Sequence, residues 1–167
     1  MELRNHITRR LHDEHEAAFR LMTRVERTFT GPAVDYVPAP AAPEWNALLR
    51  DLKAALEFEI AAHFEFEERA LFPLLVEAGE GDMVGILADE HEAIRAVAAP
   101  VIELLRKFAG AGLDAAEWRS LRKLGLELCL RLEAHARKEE AAMLPALEAL
   151  LDAEQDHELT SSYAAGA

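Results

Sequence analysis

The sequence predicts an all-α protein, an up-down-up-down four-helix bundle made from one helical hairpin used twice. Three observations lead there. The chain is rich in Ala, Leu, Glu and Arg and has only 7% aromatic residues, a composition that favours helix over strand. Apolar residues recur at helical spacing, as Leu48, Leu49, Leu52, Leu56 and Ile60, and again as Leu121, Leu124, Leu128 and Leu132. Two segments also return. LHDEHEA at residues 11–17 reappears as LADEHEA at 87–93, a shift of 76, and HFEFEERALFPLL at 63–75 reappears as HARKEEAAMLPAL at 135–147, a shift of 72.

Breakers divide the chain into helices. The first spans residues 3–29 and stops at Thr30-Gly31-Pro32. A linker follows, GPAVDYVPAPAAP, with too many prolines for helix, and is expected to run extended over the surface. The second helix opens at Glu44-Trp45 and ends before Gly79-Glu80-Gly81. Asp82 is the expected cap of the third, which reaches Phe108 before Gly110-Ala111-Gly112. Asp114 with Glu117 forms a D-x-x-E start resembling a capping box for the fourth, which runs to about Asp152. Pro73, Pro100 and Pro145 fall inside helical patterns and should kink them. Residues 1–153 form the bundle domain, and residues 154–167, ending TSSYAAGA, are expected to be a flexible tail.

Composition narrows the function. A chain of 167 residues has the length of one domain with a sizeable core. Acidic residues outnumber basic ones 31 to 18, for a net charge of −13, so nucleic acid and anionic membrane surfaces are poor partners. No run of 18 apolar residues could span a bilayer, and the amino terminus MELRNHITRR has no apolar stretch after its charges. The single cysteine, Cys129, has no internal disulfide partner and fits a reducing compartment. The expected location is the cytoplasm.

The duplication carries the chemistry. Shared packing rules would preserve the apolar period but not particular polar residues. What recurs is His15 with His91, His63 with His135, and Glu67 with Glu139. In His63-x-x-x-Glu67 and His135-x-x-x-Glu139 the four-residue spacing puts an imidazole and a carboxylate on one helix face. Both pairs lie among apolar neighbours, where unpartnered charges are costly. At about 1.5 Å rise per residue, the four histidines sit about 21 to 31 Å from the loops joining their helices, close enough in depth to meet. Four imidazoles and two carboxylates are too many for one tetrahedral zinc and suit two ions of higher coordination number bridged by carboxylate. Nitrogen and oxygen donors without thiolate favour iron, with manganese, zinc or cobalt able to occupy the same cage.

The order EH…HxxxE…EH…HxxxE, with EExxxxP overlapping the end of each HxxxE, resembles the hemerythrin-like, or HHE cation-binding, domain over residues 4–151. The resemblance implies a four-helix bundle around a non-haem di-iron centre. In it His15 and His63 would hold one iron, His91 and His135 the other, and Glu67 and Glu139 would bridge them. The sequence departs from the oxygen-carrying hemerythrins at two positions. Leu87 stands where they have a further histidine, and Glu139, four residues after its histidine, stands in place of an aspartate at five. These departures predict open positions on both irons, a nearly symmetric centre, and prompt oxidation by oxygen instead of reversible carriage. His12 or Tyr36 could supply a substitute ligand, while Glu14, Glu90, Glu68 and Glu140 are candidates to hold the imidazole N–H groups.

The remaining residues read as structure. Trp45 and Trp118 pack the bundle ends, Cys129 is a small core residue, His6 and His157 are solvated, and Arg119, Arg122, Lys123, Arg137 and Lys138 form solvated faces. The expected function is a protein, monomeric or homodimeric, with two non-haem iron ions, replaceable by zinc or manganese. It would bind or sense oxygen or a related small ligand, or handle iron. The alternative is a di-iron enzyme that decomposes peroxide or reduces nitric oxide.

Overall fold

A computed structural model describes residues 3–31, 36–40 and 42–166, all helix and connections. Helix α1 is His6–Phe29. Helix α2 covers residues 43–77 as a continuous rod of α-helical stretches, Pro43–Phe58, Phe64–Phe66 and Phe72–Glu77, joined by the π-helical turns Glu59–His63 and Glu67–Leu71. Helix α3 is Gly81–Ala111. Helix α4 covers residues 115–150, with one π turn, Glu139–Met143, between Ala115–Lys138 and Leu144–Leu150. A fifth helix, α5, is Ala153–Gly166. Helices α1 to α4 each touch the next in order and α4 closes on α1, which is the expected bundle.

Local chemistry explains the ends. Asp114 Oδ1 accepts from the Ala116 and Glu117 amides while Glu117 reaches back to the Asp114 amide, the expected reciprocal cap. Asp82 does not cap α3: it lies in the first turn, where its charge meets the positive end of the helix dipole. Gly112, at φ 79°, ends α3 in the backbone conformation that only glycine enters without strain.

The prolines act unequally. Pro73 and Pro145 are the second residues after π turns 72 residues apart, so the missing proline N–H falls where the helix has already widened. Pro100 sits inside α3, which remains an uninterrupted helix around it.

Residues 154–167 were expected to form a flexible tail, yet α5 packs against α1. Asp152 Oδ1 accepts from the Glu154 and Gln155 amides, and Gln155 accepts from the Asp152 amide, so a second reciprocal cap starts α5. Asp156 in turn accepts from the His6 and Ile7 amides at 2.9 Å each, and Glu148 accepts from the Arg4 and Asn5 amides and the Thr8 hydroxyl. The amino end of α1, which lacks a side-chain cap of its own, is therefore capped from α4 and α5. Part of the linker expected to be extended, residues 32–35 and 41, lies outside the described residues; Val37 packs on the core and Pro38 is buried.

Two apolar clusters fill the bundle. One contains Phe29, Trp45, Trp118 and Phe108, with the two indoles 5.0 Å apart edge-to-face, which agrees with the reading of both tryptophans as packing residues. The other contains Ile7, Leu11, Leu71, Leu75, Leu87, Leu144 and Tyr163. Between them lies a layer of buried polar side chains.

Candidate metal centre

That layer consists of His15, His63, Glu67, His91, His135 and Glu139, none more than 2% exposed. Helix α1 contributes His15, α2 contributes His63 and Glu67, α3 contributes His91, and α4 contributes His135 and Glu139. Their ligand atoms form two sets, His15, His63, Glu67 and Glu139, and Glu67, His91, His135 and Glu139, in each of which all atoms lie within 4.8 Å of one another. The two carboxylates belong to both sets. Two π turns begin at Glu67 and Glu139, so a wide turn starts at each shared carboxylate.

The inward atoms are poorly satisfied by protein. Glu139 lies 3.1 Å from His15 Nε2 and 3.0 Å from His135 Nε2, and Glu67 lies 3.2 Å from His63 Nε2 and 3.3 Å from His91 Nε2. Those separations suit ion pairs. Nevertheless, His15 Nε2, His63 Nε2 and all four oxygens of Glu67 and Glu139 have no aligned hydrogen-bond partner. His91 Nε2 and His135 Nε2 face each other at 2.9 Å, two ring nitrogens pointing at one spot. Buried lone pairs aimed at a common centre fit cations, and the residues present therefore suit a metal pair.

The titration directions follow from the same crowding. Burial opposes charge on His15, but the Glu139 and Glu140 carboxylates lift it to about 9. Burial likewise opposes charge on His63 and His135, and neighbouring carboxylates, chiefly Glu67 and Glu139 respectively, raise both. Glu67 and Glu139 are pushed up by burial, and Glu67 further by Glu139, yet the imidazoles around them hold both below the ordinary range. At His15, His63 and His135 the neighbouring carboxylates thus favour the protonated ring over the neutral one, against the cost of burial.

Every outward ring nitrogen has a carboxylate. His15 Nδ1 is 2.8 Å from Glu140, His63 Nδ1 is 3.0 Å from Glu14, His91 Nδ1 is 2.7 Å from Glu68, and His135 Nδ1 is 3.1 Å from Glu90. These are the four glutamates expected from the sequence, and the contacts follow the repeat: Glu14–His63 matches Glu90–His135, and Glu140–His15 matches Glu68–His91. Such contacts fix the ring tautomer so that Nε2 is free for a metal. A further donor steadies each carboxylate. His12 and Arg95 meet Glu140 and Glu68, Lys138 meets Glu90 at 2.5 Å, and Tyr163 meets Glu14 at 2.7 Å.

Several expectations change here. His12 stands outside both ligand sets, its Nδ1 3.0 Å from Glu140. Tyr36 is 64% exposed, away from this buried layer, and does not supply the substitute ligand. Lys138, read as part of a solvated face, holds the glutamate behind His135. Cys129 is a core residue as expected, 2% exposed, with its thiol pushed up to about 12 by burial and the nearby Glu26 and Glu133 charges.

Arg95, which meets Glu68, was missed, and so were two residues around His63. Glu59 stands four residues before His63, with Oε1 4.0 Å from His63 Nε2, at the margin of the site. Burial, with the charges of Glu67 and Glu139, pushes its carboxyl up against the pull of His63. The i, i+4 spacing from Glu59 to His63 was the available signal. Tyr163 was missed because it fell in the segment assigned to the tail; the D-x-x-Q of Asp152 and Gln155 would have revealed its helix.

The lining is unequal. Phe64 stacks on His91 with ring centroids 3.7 Å apart and an 11° interplanar angle, and Phe72 lies beyond at 5.5 Å. On the other side, a cavity of about 30 Å³, lined by His15, Met22, Leu52, Leu56, Glu59 and Ala136 among others, reaches the site. A nearly symmetric centre was expected from the ligands alone; the surroundings break that symmetry.

Among the described residues, no helix is long and apolar enough to cross a membrane. Comparison with curated proteins gives no match. The family model for the hemerythrin HHE cation-binding domain matches twice, over residues 6–112 and 82–164. The two matches begin 76 residues apart, the interval at which the histidine-bearing LHDEHEA segment returns. The chain belongs to the hemerythrin HHE cation-binding domain family.

Proposed function

We propose that this protein holds two non-haem iron ions, His15 and His63 on one, His91 and His135 on the other, with Glu67 and Glu139 shared. Its role on this reading is to bind or sense oxygen or a related small ligand, or to handle iron. The observation that carries the reading is the pair of buried four-residue sets that share two carboxylates whose oxygens lack aligned partners. The donor set is nitrogen and oxygen only, which suits iron and admits zinc or manganese. Bound there, such ions supply redox and Lewis-acid chemistry.

The chain's own residues set the terms of that chemistry. Glu14, Glu68, Glu90 and Glu140 hold the four imidazoles with Nε2 inward. Phe64 and Phe72 keep water from the His91 face. Leu87, 1% exposed in the apolar cluster, offers no donor one turn before His91. The cavity beside His15 has room for about one or two water-sized molecules, enough for a diatomic ligand. A cavity of that size beside one ligand set supports the small-ligand reading.

The test begins with metal analysis of protein purified without added metal, where about two irons per chain are expected. Reduced protein is then mixed with oxygen in a stopped-flow absorption experiment. The expected result is a prompt spectral change that does not reverse when oxygen is removed. A fully reversible change would return the protein to the oxygen carriers. Zinc alone at the site would overturn the iron assignment, and rapid turnover of peroxide or nitric oxide would favour the enzymatic alternative.

A further inference from the structure

The repeat makes an omission visible. Behind His135, Glu90 is held by Lys138 on α4. The residue 72 positions earlier, which should play that part for Glu14 behind His63, is Phe66, and it has no donor. Phe66 instead stacks on the ring of Tyr163 at a centroid distance of 4.3 Å. The Tyr163 hydroxyl donates to Glu14 Oε2 at 2.7 Å, and the same oxygen lies 3.0 Å from His63 Nδ1. The hydroxyl is itself 3.5 Å from His63 Nδ1. Arg10, which reaches Glu14 Oε1 at 3.2 Å, covers the other part of the phenol ring at 4.2 Å. Tyr163 is 2% exposed although it lies on the last helix, three residues before the last described residue.

We propose that Tyr163 is a positioning residue for His63. Its phenol fixes the Glu14 carboxylate, and through it the tautomer and orientation of the His63 ring, in place of the lysine that serves the other half. Helix α5, which lies outside the duplicated hairpins, thereby becomes part of the apparatus of one metal position only. Asp156 ties the same helix to the start of α1, the helix that carries both Glu14 and His15. The relation is reciprocal: a cation that draws His63 Nε2 inward strengthens the Nδ1–Glu14–phenol chain, so filling that position tightens the docking of α5. The inference rests on the two-metal reading for its effect on affinity, but the link from phenol to imidazole exists without metal.

The test uses the full-length chain with nitrogen-labelled histidine. In the metal-free protein, Tyr163→Phe keeps the stack on Phe66 and removes only the hydroxyl. Exchange of the His63 Nδ1–H with solvent should speed at least tenfold, while the signals of His91 and His135 stay in place. With zinc added, affinity at one of the two positions should fall by about 10- to 100-fold, the range for loss of a partner behind a metal-bound histidine. Adding Phe66→Lys to Tyr163→Phe should restore part of both effects, as Lys138 does for Glu90. A loosened helix would instead disturb the Ile7 amide bonded to Asp156 before any imidazole signal.

A second measurement avoids mutation. Fluorotyrosine labelling gives two signals, from Tyr36 and Tyr163, and zinc should move only that of Tyr163. An unchanged His63 signal in Tyr163→Phe, or equal changes at all four histidines, would overturn the proposal. So would a Tyr163 fluorine signal indifferent to bound zinc. If the protein takes up no zinc or iron at all, the two-metal reading fails, while the metal-free exchange measurement still decides the role of Tyr163.

Discussion

His15 and His63 look across the shared carboxylates at His91 and His135, and residues 72 or 76 apart make the ligand shells match. The walls do not match. Phe64 and Phe72 press on His91, whereas their repeat partners near the first pair are Ala136 and Leu144. Glu59 stands at the margin of the first position inside a π turn that has no counterpart in α4; its partner there, Arg131, is exposed and paired with Glu127 on a regular helix. Duplication preserved the atoms that must meet a cation, because each has a fixed geometric requirement. The surrounding apolar volume can be filled in several ways, and there the halves diverged.

The comparison breaks most completely if the shared carboxylates go. Glu67→Ala with Glu139→Ala should leave fewer than two tightly held ions per chain, since both positions lose their common anions. Metal analysis after dialysis checks this, and retention of two ions would sink the assignment.

Phe64→Ala attacks the wall instead. Phe64 is fully buried, so its removal should cost about 3–5 kcal/mol in denaturant unfolding. A chelator should then strip the His91 position faster relative to the His15 position than it does in the parent protein. An unaltered ratio of the two rates would mean that Phe64 does not seal that side.

Removing metal from the parent protein should lower its melting temperature. Each ion at a hundredfold excess over its dissociation constant contributes about 2.7 kcal/mol to the native state. Equal melting temperatures with and without metal would place binding away from the core.

The smallest effect lies outside the site. A Cβ built on Gly125 would stand 2.7 Å from the Phe29 ring, which is wedged against Trp45 and Trp118. Overpacking costs about 1–3 kcal/mol, and the helix propensity of alanine returns about 1 kcal/mol. Gly125→Ala should therefore destabilise by about 1 kcal/mol while leaving both metal positions alike in affinity. A stabilised variant would show that Phe29 yields freely.

Much of the site was legible because its requirements are local and repeated. His63 and Glu67 share a face by spacing alone, and the matching pair at His135 and Glu139 distinguishes ligands from packing. The glutamates next to the ligands in sequence, Glu14, Glu68, Glu90 and Glu140, followed from the same motifs. Asp114 and Glu117 announced the start of α4 through a cap that needs only adjacent residues.

Other features depended on distant groups. No periodicity reveals that Tyr163 fills a vacancy left by Phe66, since their meeting requires α5 to fold back along α1 and α2. The cap of α1 came from Glu148 and Asp156, more than 140 residues away, where the local sequence offers none. The stacking of Phe64 on His91 was equally invisible, because a ring's neighbours across a bundle depend on helix rotation, and two π turns in α2 alter that rotation. Spacing along single helices was enough to show which side chains could meet a cation. What stands behind and beside them is set by contacts that join helices, whose relative depth and rotation come from the packing of the whole bundle.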